Sequence, residues 1–402
     1  MTDHRLDIGE SQVLGVRLRE AREARGWTQL QLAERLGMAR TTVVAIEKGE
    51  RRLRPQELIK IASSLGRSVS ELLQRTTPVE GLVTQLREAI PSSLAEAEIL
   101  SGIEELQRLC EDYVRIEEIC EVPLRRRYPA EYDIAATDPA LAAEDVATAE
   151  RSRLGLGEGP LLNLWEILEA DAGLRIFQLA LPSRVQGMYV LTASAGGCIA
   201  VNLSHPPERR RESLAYEYSH FLTARYRAEV TLEDRGERRP AGERFAASFA
   251  RAFLLPAVGL RRRFLELERE RSRGATLGDL LRLAHLYAVS VEAIIRRLEE
   301  LRLLPAGTWG RMDRRSLRAP VAPQALQIDH TEAEPFSPRY GALAIEAWQR
   351  AELSESQLAR ILRTDRLGAR DRIERFQPDA TDGDHANDSI DLGAPLLRAV
   401  GR

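Results

Sequence analysis

The sequence predicts a mainly α-helical protein with one small β-sheet, an α+β chain, on three observations. Apolar residues recur three and four apart along most of its length, the pattern of helices with one buried stripe. Three short strand-like runs, "LRIFQLALP", "GMYVLTA" and "GCIAVNLS", fall together near the middle. At 402 residues with 44% hydrophobic content, the chain is long enough for two or three domains, each with its own core.

Composition removes several classes. No apolar run approaches the roughly 18 residues that a bilayer span needs. The start "MTDHRLDIGESQ" has neither a charged n-region nor an apolar h-region, so a cytoplasmic protein without membrane partners is expected. Cys110, Cys120 and Cys198 form no C-x-x-C pair and no even set, which suits a reducing compartment and thiols used as core residues. Charge is uneven. Residues 1–75 hold 14 Lys and Arg against 10 Asp and Glu, whereas the remainder holds 44 against 51. A polyanion-binding surface therefore belongs to the N-terminal segment.

Residues 13–76 divide into five short helices. Leu14, Leu18 and Ala21 place one stripe on a core, and Gly26 ends that helix. Thr28 then serves as an N-cap with Gln31 three residues on, a capping box, and Leu32, Ala33 and Leu36 form the buried face before Gly37. A third helix from about Arg40 to Lys48 buries Val43 and Ile46, Gly49 stops it, and "LRPQELIKIASSLGRSVSELL" adds two more. The stretch 78–155 has a helical apolar period through Leu94, Ile99, Ile103, Leu106, Leu109, Val114 and Ile116; it reads as a helical connector or a dimer seam. Residues 160–312 hold the three strands and then "ESLAYEYSHFLTARY", a helix bearing Tyr216-Glu217-x-x-His220. Residues 336–376 are expected to be a C-terminal helical cap, and 377–402 an acidic, flexible tail without the D-x-D-x-D-G spacing of a calcium loop. Hairpins of the form L-A-x-x-apolar, turn, helix start at Leu32, Leu283 and Leu358. The outer face of the second, with Glu292, Arg296, Arg297, Glu299 and Glu300, is mixed in sign and favours packing over DNA contact.

"WTQLQLAERLGMARTTVVAIEKGERRLRPQELIKIASSLG" resembles the Xre/Cro-type helix-turn-helix of bacterial and phage repressors, through its T-Q-x-x-L-A-x-x-L-G and I-E-x-G runs. The resemblance implies that the third helix lies in the major groove, with Arg40, Thr41, Val44, Ala45 and Lys48 as reading positions and Gln29 meeting phosphate. Arg40 suits guanine; Thr41 and Ala45 suit a thymine methyl. Ala39 stands where the family usually has a capping side chain, a loss of about 1 kcal/mol. Such domains usually bind operator DNA as homodimers.

Tyr216-Glu217-x-x-His220 together with "GERFAASFARAFLLP", in which Glu243, Ala246, Phe249, Ala250, Leu254, Leu255 and Pro256 hold the expected offsets, is similar to the ImmA/IrrE family of zinc-metallopeptidase-like proteins. That family uses H-E-x-x-H: two imidazoles on one helix face and a distant carboxylate hold zinc, and the Glu activates water. The resemblance places His220 and Glu243 as ligands, Glu217 as general base, and Tyr216 where the first imidazole belongs. A phenol titrates near 10, so presenting a phenolate at neutral pH costs about 4 kcal/mol. No cofactor is expected, zinc being the exception to watch for. The expected state has the Tyr216 hydroxyl and His220 bonded to Glu243 or Glu217, or packed in a core.

Together these readings imply a DNA-binding transcriptional regulator, a homodimer whose degenerate pocket acts as a sensor of a small molecule or peptide or as an interaction module. The rivals are a zinc endopeptidase that cleaves a partner repressor, and an antitoxin-like protein whose main partner is another protein.

Overall fold

The chain divides at Thr76 into two units, each with its own core. The structure, a computed structural model, describes residues 14, 15, 18, 19, 21–23, 25–51, 53–65, 69, 79, 81–135, 137–233, 240–269, 275–312 and 335–376. The expected tail at 377–402, His330, and most of the fifth N-terminal helix lie outside the described residues.

In the first unit, α1 (Gln29–Leu36), α2 (Arg40–Glu47) and α3 (Pro55–Ser64) follow helical residues at 14, 15, 18, 19 and 21–23. Thr28 caps α1: its hydroxyl accepts from Gln31 N, and the Gln31 amide returns a bond from Thr28 N. Gly37 closes the helix at φ 67°, a left-handed conformation that glycine adopts without strain. Ala39 leaves α2 without a side-chain cap, as read from the sequence. Leu18, Leu32, Ala33, Leu36, Val43, Ile46 and Ile61 form the core.

The second unit is layered. Its elements run α4 (Leu82–Glu88), α5 (Glu96–Cys120), α6 (Pro139–Arg153), α7 (Leu164–Ala170), β1 (Arg175–Leu179), β2 (Val185–Thr192), β3 (Gly196–Asn202), α8 (Pro207–Thr223), β4 (Glu229–Leu232), α9 (Ala241–Leu254), α10 (Ala257–Arg269), α11 (Leu277–Tyr287), α12 (Val291–Glu300), α13 (Thr308–Arg311), α14 (Pro338–Gln349), α15 (Glu355–Ile361) and α16 (Arg366–Phe376). The sheet order is β1-β3-β2-β4, with β1 and β3 parallel and the other pairs antiparallel. Strand β3 is buried along its whole length because its side chains alternate between two cores. Ile199 and Val201 face α8 and α9; Cys198 and Ala200 face α5 and α14.

Three expectations change. The apolar face of α5, read as connector or dimer seam, is spent within the chain: Ile99, Ile103, Leu106 and Leu109 sit in the core beneath β1 and β3. The Tyr216 helix starts earlier and ends sooner than "ESLAYEYSHFLTARY", spanning Pro207 to Thr223, because Pro206-Pro207 opens it and Ala224 leaves helical geometry. Arg297, expected on an outer face, is turned inward, where its guanidinium donates to Leu255 O at 2.9 Å and to Glu144 at 2.6 Å. Strand β4 was not read from the sequence at all.

Candidate functional site

Two sites follow from the sequence, one in each unit. In the first, burial splits α2 along its length. Val43, Ile46 and Glu47 are buried, Arg40, Thr41 and Lys48 are exposed, and Val44 and Ala45 are partly exposed. The expected base-reading residues therefore share the face turned away from the core. Arg40 also borders a recess of about 620 Å³ with Arg19, Thr28 and Gln29.

The residue that the sequence reading passed over is Glu47. Its oxygens take Arg22 Nε at 2.6 Å and Arg22 Nη2 at 3.0 Å, and Gln29 Nε2 donates to it at 3.0 Å. Arg22 Nη1 donates in turn to Trp27 O at 2.7 Å. Gln29, expected at phosphate, is thus held by its amide against the end of α2. The I-E-x-G run was the available signal, and its Glu is the buried anchor between helices.

In the second unit, α8 carries Tyr216, Glu217 and His220, and α9 carries Glu243. The Tyr216 hydroxyl donates to Glu243 Oε2, and the Tyr216 and His220 rings meet edge-on at 5.4 Å. The structure therefore brings three of the four expected residues together. Glu217 is fully buried behind Gly187 of β2, where a Cβ would lie 2.8 Å from Glu217 Oε1, and neither of its carboxylate oxygens has a hydrogen-bond partner among the described residues. Burial pushes its carboxyl well above the ordinary carboxylate range; the Thr231 hydroxyl opposes this, and Glu229 and Glu243 add to it. Burial likewise drives the His220 imidazole down to about 4, against the pull of Glu243 and with the push of Arg227, so the ring is neutral. Its Nε2 is covered and has no hydrogen-bond partner among the described residues.

A cleft of about 1200 Å³ opens over this cluster. Tyr216 and Glu243 form part of its wall, with Glu212 one turn before Tyr216, and Arg244, Gln186 and Leu232 around them. Neither Glu217 nor His220 is on that wall. Behind it, fully buried Glu150 of α6 accepts from Tyr218 at 2.6 Å and Tyr132 at 2.9 Å and fixes the back of α8.

The donor set does not fit a resident zinc. Among the described residues the cluster holds one imidazole, the phenol at the other position donates its hydrogen bond to the carboxylate that would be the third ligand, and the would-be base is not part of the cleft wall. Among the described residues no three His, Cys, Asp or Glu side chains gather as a metal-holding group. His205 does not stand in, since its Nε2 lies 2.8 Å from Ser183 O.

Comparison with known proteins agrees with this division. Residues 18–72 match the helix-turn-helix family, and residues 169–299 match the family described as IrrE N-terminal-like domain. No curated protein matches the chain. Among solved structures, the crystal structure of ComR from Streptococcus suis is similar over 91% of this chain and 94% of its own, at 12% identity and a TM-score of 0.15.

Proposed function

We propose, for a chain that joins an Xre-type helix-turn-helix domain to an IrrE N-terminal-like domain, that it is a sequence-specific DNA-binding transcriptional regulator. It acts as a homodimer on paired half-sites, and its peptidase-like pocket serves as a sensor or interaction module. The observation that carries the reading is the exposed face of α2, where Arg40, Thr41, Val44, Ala45 and Lys48 stand clear of the core on a helix anchored from behind by Glu47. The Tyr216 hydrogen bond to Glu243 supports the second part, because it engages the carboxylate that the family resemblance makes a metal ligand. A small molecule or peptide in the cleft regulates DNA binding only if it prefers one of two dimer arrangements.

Operator fragments selected from genomic DNA provide the test. Arg40→Ala is expected to weaken binding by about 1–3 kcal/mol and to relax preference at one base pair per half-site. Unchanged affinity and preference would remove α2 as the reading helix. A sedimentation measurement showing one chain per half-site and two per operator is expected for the homodimer.

The zinc endopeptidase reading draws on two observations, the covered His220 Nε2 and the two covered Glu217 carboxylate oxygens, all without a hydrogen-bond partner among the described residues. Protein isolated with stoichiometric zinc, whose proteolysis disappears in Glu217→Gln, would establish it in place of the regulator with a reused pocket.

A further inference from the structure

We propose that Cys110 and Cys198 form an oxidisable dithiol, which a peroxide converts to an intramolecular disulfide tying α5 to β3. The two residues are 88 positions apart in sequence, yet their sulfurs lie 3.3 Å apart in the core on the α5 side of the sheet, with the Cys110 thiol donating to Cys198. A disulfide brings sulfurs to about 2.05 Å, so the pair has roughly 1.3 Å to close.

The surroundings give the two thiols different roles. Arg175 on β1 is register-paired with Cys198, is itself buried, and donates to Glu117 of α5 and to Ala195 O. The hydrogen bond from Cys110 and the charges of Arg175 and Arg126 hold Cys198 below the usual thiol range, whereas burial pushes Cys110 well above it. Cys198 is therefore the nucleophile and Cys110 the resolving thiol.

Both sulfurs are covered. Cys198 sits just behind the β2–β3 turn, over which the exposed Arg126 side chain donates to Ala193 O at 2.9 Å and Ser194 O at 2.6 Å. The Tyr128 hydroxyl accepts from Gly197 N at 2.9 Å beside it. Oxidation therefore proceeds from an opened state of the fold, in which a peroxide reaches the pair.

The steps balance. The Cys198 thiolate attacks one peroxide oxygen and the O–O bond breaks; hydroxide leaves and takes a proton as water. Cys110 sulfur then attacks the resulting sulfenic acid, its proton departs with the hydroxyl as a second water, and the S–S bond forms. The two sulfurs together lose two electrons, which reduce one peroxide. Cys120, buried elsewhere on α5 with its thiol donating to Leu343 O, has no sulfur in reach and is the internal control.

The experiment exposes the reduced full-length chain to hydrogen peroxide, quenches it, unfolds it in an alkylating agent and counts modified thiols by intact mass. The expected count falls from three to one, a proteolytic digest contains a peptide pair joined through Cys110 and Cys198, and dithiothreitol restores all three. Cys110→Ser is expected to leave a dimedone-reactive sulfenic acid on Cys198, and Cys198→Ser to leave its two remaining thiols free. Three alkylated thiols after peroxide has already oxidised methionines would overturn the proposal, as would a link through Cys120 or Cys198 over-oxidised without a link. The wild-type measurement decides the matter even if a serine variant fails to fold.

Discussion

Glu47→Ala is expected to cost the first unit about 3–5 kcal/mol, the usual effect of removing one member of a buried ion pair. The side chains of Arg22 and Glu47 are only 7% and 3% exposed, so water cannot replace the lost carboxylate. Arg22 Nε and Gln29 Nε2 are left without their acceptor, and Arg22 Nη2 keeps only Glu23 Oε1 at 3.1 Å. Amide hydrogen exchange in α1 and α2 reports this unit separately from the second, and protection there should fall by roughly two to four powers of ten. A control separates charge from packing: the double variant Arg22→Met, Glu47→Leu removes both charges, fills similar volume and should be more stable than Glu47→Ala. Protection in Glu47→Ala within about threefold of wild type would show that apolar packing alone sets the angle of α2. The consequence for function is direct. Glu47 is the last residue of α2 and Gln29 the first of α1, so the same carboxylate fixes the helix that offers Arg40 and the helix expected at the phosphate backbone.

What could be read from the sequence was what neighbouring residues decide. Thr28 with Gln31, and Gly37 at a left-handed turn, depend on atoms within a few positions, and the helix ends they predict are those observed. In α9, placed through the family resemblance, Phe245, Phe249 and Phe253 repeat every turn and stack in the core. Strand β4 was not legible, since four residues between a loop and a helix carry too little period to stand out. Long-range pairing was the larger loss. Cys110 meets Cys198, Arg297 meets Glu144 across 153 positions, and Glu150 meets Tyr218 across 68. Each is a polar or sulfur group whose burial is stable only with its partner, and a partner that distant leaves no local trace. The pocket was intermediate. Helix spacing put Tyr216 and His220 on one face and the family resemblance supplied Glu243, but nothing local said that Glu217, a single residue further round the helix, would be buried behind Gly187.

Restoring the missing imidazole has the largest expected effect in the second unit. Tyr216→His places two imidazoles one helical turn apart on α8 and takes away the phenol proton that now satisfies Glu243. Glu243 is then free to act as a third donor toward the same point as His220, whose ring is already neutral and therefore ready to bind metal without losing a proton. The variant, loaded with zinc and passed through a desalting column, is expected to retain about one metal ion per chain where the wild type retains almost none. Tyr216→Phe is the companion measurement. It frees Glu243 equally but supplies no donor, so it should stay metal-free and lose about 1–3 kcal/mol from the carboxylate left without its partner. Zinc in both variants would mean that His220 and Glu243 suffice and that the phenol had only been blocking them. Zinc in neither, with the fold intact by circular dichroism, would mean that the helix face has turned too far for its side chains to converge. Activity is a separate matter, because Glu217 remains buried off the cleft wall. A metal-loaded Tyr216→His that binds zinc and still cleaves nothing is therefore the expected outcome, and it would locate the loss of peptidase chemistry in two places rather than one.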